Sequence, residues 1–128
     1  MATIDLTSEN FEDTVKNNEL VIVDFWAAWC GPCTGFAPVF ENASEKHSDV
    51  VFGKVNTEEQ RELAAAFDVR AIPFVVLLRE AVIVFAQDGA LPLQGIESII
   101  GQARALDMPQ IHREIAEQQS ASAEGGDR

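Results

Sequence analysis

Basic residues are scarce in this 128-residue chain: nine lysines and arginines stand against 21 aspartates and glutamates, a formal charge of -12. Phosphate backbones are bound by clustered positive charge, so this balance argues against a nucleic-acid partner. It describes instead a solvated acidic surface. Cysteine is scarcer still. A small secreted scaffold held by disulfides would scatter many cysteines through the chain; here there are two, Cys30 and Cys33, almost adjacent. No stretch reaches the apolar length of a membrane span, and Met1 to Asp5 lacks the basic region and apolar core of a signal peptide. No membrane contact and a cytoplasmic location are expected. That compartment keeps thiols reduced, and a Cys-x-x-Cys pair there is more often catalytic or metal-binding than structural. Internal repeats are missing too. What is present is an ordinary globular mixture, 47% apolar and 23% charged, long enough to bury one core without metal or disulfide staples.

Hydrophobic patterning divides the chain into alternating elements. Ser8 to Lys16 reads as a helix with Phe11 and Val15 on one face. Leu20 to Trp26 is β-branched and aromatic, apolar on both faces, the pattern of a central strand covered on both sides. A helix follows from Pro32 to His47, then a buried strand from Val50 to Val55. Thr57 with Gln60 resembles a capping box that opens a helix through Phe67. After Ile72-Pro73, Phe74 to Leu78 and Val82 to Ala86 read as a hairpin, Asp88-Gly89-Ala90 as a turn, and Pro92 to Leu106 as a helix. Strands separated by helices pair in parallel, and the hairpin adds an antiparallel edge. The expected fold is α/β, a mixed central β-sheet flanked by helices on both faces in a three-layer sandwich. Residues 1–107 form its domain. A short amphipathic helical extension carrying Ile111 and Ile115 is expected at 108–119, and a disordered Ser-, Ala-, Gly- and charge-rich tail at 120–128.

The chemistry concentrates at Cys30-Gly31-Pro32-Cys33, between the apolar strand and the helix that follows it. A thiolate, not a thiol, attacks a disulfide, and a helix N-terminus stabilises negative charge in its first turn. Cys30 should be the exposed, activated sulfur. Cys33, one turn in and more shielded, is placed to attack a mixed disulfide formed by Cys30. Gly31 allows close approach of a partner backbone, and Pro32 stiffens the turn without needing a donor. Two other readings compete: inert core thiols, or a zinc half-site, for which only His47 and His112 could supply further ligands and neither has ligand-pair spacing. Asp24 is the only charge between Leu20 and Ala28. A buried carboxyl stays protonated until a partner or a reaction favours its ionisation, so Asp24 could take a proton from Cys33; it could also be a paired or edge carboxylate. Lys54, on the neighbouring strand, is a candidate partner for Asp24 or an exposed lysine near a strand end.

The run Val23-Asp24-Phe25-Trp26-Ala27-Ala28-Trp29-Cys30-Gly31-Pro32-Cys33, followed by Ala37-Pro38, resembles the thioredoxin family. Lys54-Val55-Asn56, Val69-Arg70-Ala71-Ile72-Pro73 and Gly89-Ala90-Leu91 fall in that family's order and spacing, so the resemblance runs from Ile4 to Leu106. It implies the thioredoxin fold and a protein disulfide reductase working by thiol–disulfide exchange. No bound cofactor is implied beyond the redox-active Cys30–Cys33 disulfide. Cys30 would be the nucleophile, Cys33 the resolving thiol and Asp24 the buried carboxylate, with Gly31, Pro32, Lys54 and Pro73 in support. Pro73 matches a cis-proline facing the disulfide, and Ile72 would offer its backbone to an extended substrate. Trp29, Pro73 and Gly89 would border the patch where partner proteins dock. The implied partners are disulfide-containing proteins and an NADPH-dependent thioredoxin reductase, and a monomer is expected. A thiol oxidase or isomerase, or a redox-independent interaction subunit or holdase, would use the same fold. Four positions depart from the family pattern: Thr34 for a basic residue, Gly35 in the first helical turn, Ala81 for a hairpin glycine, and Asp88 for an apolar residue at the docking rim, where a carboxylate would repel acidic partners.

Overall fold

Five strands form one sheet in the order β1-β3-β2-β4-β5. In chain order the elements are β1 (Thr3–Asp5), α1 (Phe11–Asn17), β2 (Leu20–Trp26), α2 (Gly31–Lys46), β3 (Val51–Asn56), α3 (Arg61–Ala66), β4 (Phe74–Arg79), β5 (Val82–Asp88), α4 (Leu93–Arg104) and α5 (Met108–Gly126). They come from a computed structural model that describes residues 2–126, with side chains described for 2–120.

The centre of the sheet is β2, flanked by β3 in parallel and β4 antiparallel. Side chains alternate across a strand, and both faces of β2 are covered. Leu20 and Ile22 pack with Phe36 and Phe40 of α2 and with Ile96 and Ile100 of α4. Val21, Val23 and Phe25 pack with Val15 of α1 and Leu63 of α3 on the opposite face. Each such side chain contributes about 1.5–3 kcal/mol when fully buried. This is the mixed three-layer arrangement that the apolar-on-both-faces pattern of Leu20 to Trp26 implies.

Several local expectations are corrected. The segment Thr3–Asp5 is a strand, parallel to β3 at the sheet edge; three residues are too few to show a periodicity. Ser8 to Asn10 precede α1 as a turn. The capping box is not formed: Gln60 occupies the cap position of α3 without a side-chain cap bond. Its Oε1 instead accepts from the Ser8 backbone N–H at 3.0 Å. Thr57 points elsewhere, its hydroxyl donating to the Trp26 carbonyl at 3.1 Å. Asp88 belongs to β5, opposite Phe74, rather than to a turn. The final helix runs through Gly126, past the Gln119 boundary where a tail was expected, and Asp127 and Arg128 lie outside the described residues.

Helix α5 joins the domain at its start. Met108 is buried, and His112 Nε2 lies 2.9 Å from Glu80 Oε1. Arg79 gathers the end of α4 beneath it, Nη1 donating to the carbonyls of Ala103, Arg104 and Leu106 at 2.6, 3.1 and 3.0 Å.

The β4–β5 hairpin turns through Glu80 and Ala81, whose φ values are 51° and 66°. Two successive positive φ values are the mark of a type I′ turn, whose twist matches the flanking strands and whose usual residues are Asn and Gly. Ala81, standing where the resemblance would place a glycine, puts a Cβ where L-residues are disfavoured. Ala81→Gly should raise stability by about 0.5–1 kcal/mol, read as a higher urea midpoint at unchanged slope. A lower midpoint would show that the turn carries no such strain.

Candidate active site

Strand β2 ends at Trp26, and the chain turns through Ala27 to Cys30 into α2. Cys30 is the N-cap of that helix, with extended backbone, and its Sγ accepts from the Cys33 backbone N–H at 3.2 Å. The first amides of a helix have no partner within it, so a negative sulfur at this position meets both a donor and the positive end of the helix. Pro32 lies in the first turn, where its missing N–H costs nothing. Cys30 and Cys33 are joined as a disulfide, with Cα atoms 5.2 Å apart.

The expectation that Cys30 is the exposed sulfur and Cys33 the shielded one needs correction for this oxidised form. The two residues are 4% and 3% exposed. Their surroundings distinguish them. Cys30 Sγ lies 3.7 Å from the Ile72 carbonyl oxygen and receives the Cys33 amide. Cys33 lines a cleft of about 230 Å³ shared with Trp26, Thr34, Ala37 and Lys54. No group of three or more potential ligands that could hold a metal occurs among the described residues. His47 faces Glu97 at 3.2 Å and His112 faces Glu80, each on its own part of the surface.

The Ile72–Pro73 peptide is cis, and Ile72 packs against the Ala27–Cys30–Cys33 cluster. The Gly89 N–H donates to the Pro73 carbonyl at 2.7 Å, at a φ of 94° that favours glycine. The rim is thereby tied to the cis-proline loop. Trp29 projects outward, 70% exposed. The structure thus brings Trp29, Cys30, Ile72, Pro73 and Gly89 together around the disulfide, with Asp88 exposed beside Gly89 at the end of β5.

Asp24 is fully buried on the face of β2 that Leu20 and Ile22 turn toward α2, and neither carboxyl oxygen has a hydrogen-bond partner among the described residues. Burial pushes its pKa up to about 7, with the Lys54 charge pulling the other way. Lys54 is opposite Asp24 in the β2–β3 register. It forms no ion pair with Asp24, however; its Nζ sits 4.9 Å above the Trp26 ring. Thr34 supplies a hydroxyl where a basic group was expected from the resemblance, bonding back to the Cys30 carbonyl at 3.2 Å.

Sequence reasoning missed the cleft beside Trp29. Thr57, Arg61, Ala64, Arg70 and Ile72 line it. Nothing in the spacing of these residues announces a cleft; only the packing of α3 next to the cis-proline loop assembles it. The one available signal was a pair of arginines, Arg61 and Arg70, close in a strongly acidic chain.

A family model described as Thioredoxin matches residues 2–102. A Streptomyces coelicolor protein named as a thioredoxin is 55% identical over 119 residues, covering 93% of this chain and 89% of that protein. A thioredoxin of Alicyclobacillus acidocaldarius is 43% identical over 79 residues, 61% of this chain and 75% of that one. The solved structure of Plasmodium falciparum thioredoxin has a TM-score of 0.72 and 31% identity, over 78% of this chain and 97% of that one. Similarity of this extent, in sequence and in fold, shows that the chain belongs to the thioredoxin family of thiol–disulfide oxidoreductases.

Proposed function

We propose that this thioredoxin reduces protein disulfides, with Cys30 as nucleophile and Cys33 as resolving thiol. The Cys30 thiolate attacks one sulfur of a target disulfide and releases the other as a thiolate. Cys33, once deprotonated, attacks Cys30 in the mixed disulfide. The Cys30–Cys33 bond closes, the second target thiol leaves, and two electrons have passed to the target. An NADPH-dependent thioredoxin reductase would return them, in a cytoplasmic electron-transport chain in which this protein acts as a monomer without a bound cofactor. The observation that carries the assignment of roles is the Cys33 amide directed at Cys30 Sγ from the first turn of α2. That donor favours a thiolate on Cys30 and not on Cys33. Ile72, Pro73, Trp29 and Gly89 form the docking surface, and residues 1–107 suffice for the activity, with 108–128 an accessory extension.

Asp24 takes the Cys33 proton in this scheme. It lies on the α2 side of β2, opposite Lys54, and Lys54 shares a cleft with Cys33. With a pKa near 7 both of its forms are populated at neutral pH. Insulin reduction should require both cysteines. Cys33→Ser should accumulate mixed disulfides with targets that a reducing agent releases, whereas Cys30→Ser should trap none. Full biological function in the double serine variant would support the docking-subunit reading instead.

The raised pKa also sets a stability profile. The unfolded Asp24 loses its proton near the ordinary carboxylate value and the folded one near 7. Between these values the folded state holds more protons, so stability falls as pH rises from about 4 to about 7 and the penalty is complete above that. Asp24→Asn removes the penalty. It should be more stable than the parent at about pH 8, by up to roughly 4 kcal/mol, with the gap closing toward about pH 4. Urea melts at the two pH values test this, and a gap independent of pH would refute it.

Asp88 narrows partner choice. It is exposed beside Gly89, so Asp88→Val should speed reduction of acidic substrates by about two- to fivefold and leave neutral ones unchanged. Equal rates across acidic and basic substrates before and after the change would remove Asp88 from specificity.

A further inference from the structure

The cleft beside Trp29 carries a charge pattern opposite to that of the chain. Its volume is about 350 Å³, and among the described residues the only charged side chains lining it are Arg61 and Arg70. These are two of nine basic residues in a chain with 21 acidic ones. The acidic residues of the neighbouring segment, Glu58, Glu59 and Glu62, do not line it; Glu59 faces a separate cleft with Lys54 and Gln60. Small apolar side chains, Ala64 and Ala65, line it as well.

Two of the lining residues belong to the redox site itself. Ile72 presents its carbonyl 3.7 Å from Cys30 Sγ, and Trp29 precedes Cys30. A target segment whose disulfide sulfur reaches Cys30 and whose backbone runs along Ile72 therefore continues into this cleft on one side. On the other side it meets Asp88 and Gly89. The Arg61 guanidinium has one hydrogen bond among the described residues, from Nε to the Glu58 carbonyl at 3.3 Å. Its two terminal nitrogens are left to present the planar fork that matches a carboxylate. Arg70 is more compromised, since its Nε contacts Asp68 Oδ1 at 3.2 Å with both side chains largely exposed. Arg61 is thus the stronger of the two anion-recognition groups.

We infer that the Trp29–Arg61–Arg70 cleft is a specificity site that selects oxidised protein segments carrying an aspartate or glutamate side chain next to the attacked cysteine, on the side that lies over α3. This rests on the proposed reductase cycle and names its preferred substrates. Asp88 sharpens the choice from the opposite rim: the carboxylate must enter over α3, because the β5 side repels it. A charge on the wrong side loses on both counts.

The test uses the full chain and disulfide-bridged peptides identical except for Glu, Gln or Lys one residue from the attacked cysteine, before it in one series and after it in a second. The preference is expected in the one series whose varied residue lies over α3. At low ionic strength the Glu peptide should be reduced about fivefold faster than the Lys peptide in kcat/KM. The ratio should shrink toward one as salt shortens the screening length. The preference should lie in KM and not in kcat. Arg61→Gln should cut the Glu preference to less than about twofold while leaving the Gln peptide unaffected, and Arg70→Gln should have a smaller effect. Equal rates for the three peptides in both series would overturn the inference, as would an Arg61→Gln variant that slows all three alike, the sign of a merely structural role. Failure to reduce even the Gln peptide would overturn the reductase reading, and this one with it.

Discussion

The burial of β2 on both faces is the constraint on which the rest depends. A strand with β3 and β4 on its edges and helices above and below has no solvent to share its polar groups with. Its register is locked, because a one-residue slip would exchange the Leu20–Ile22 set for the Val21–Val23–Phe25 set across the sheet. That lock fixes where β2 ends, and hence where Cys30 meets α2. In open α/β sheets the carboxyl ends of the strands are where ligands bind. Here the carboxyl end of β2 delivers a cysteine to the start of a helix, while β4, antiparallel to β2, begins next to that end and brings the Ile72–Pro73 loop against it.

The same frame distributes charge unevenly around one reactive bond. Within the sheet, β2 and β3 hold Asp24 and Lys54 opposite one another, yet the lysine lies over the Trp26 ring. Outside, α3 sets Arg61 and the segment after it sets Arg70 beside Trp29, and β5 sets Asp88 beside Gly89. In the proposed cycle, sulfur reactivity is governed by the helix terminus and the buried carboxyl, and partner choice by the outer rim.

The strands and helices of the core were legible because apolar periodicity over six or more residues leaves little freedom of interpretation, as in Leu20 to Trp26. The dithiol and the buried carboxyl were legible because each is chemically conspicuous in its local run. What escaped depends on distant contacts. β1 exists only because Thr3–Asp5 finds the free edge of β3. Gly53 makes no turn; a Cβ there would collide with the buried Leu6 side chain, a constraint that no local pattern around Gly53 contains. Thr57 and Gln60 match a capping box in spacing, but Trp26 and Ser8 offer them better partners from elsewhere in the chain. The Trp29 cleft likewise exists only in the assembled fold.

The proposed proton transfer gives a reason for a carboxyl, that of Asp24, without a partner among the described residues in an otherwise apolar interior. Filling its place with a hydrophobic side chain would remove a desolvation penalty of several kcal/mol. Pairing it directly with Lys54 would offset part of the penalty, and would return its pKa toward the ordinary carboxylate range. A carboxylate in that range stays ionised at neutral pH and is a poor proton acceptor. The geometry avoids both outcomes: Lys54 is close enough to lower the pKa yet is engaged with Trp26, and burial outweighs it. A carboxyl balanced near 7 can gain a proton when Cys33 becomes a nucleophile and lose it again when the dithiol is restored. The displacement of Lys54 from Asp24 onto an aromatic face is therefore what leaves the proposed proton transfer reversible at neutral pH.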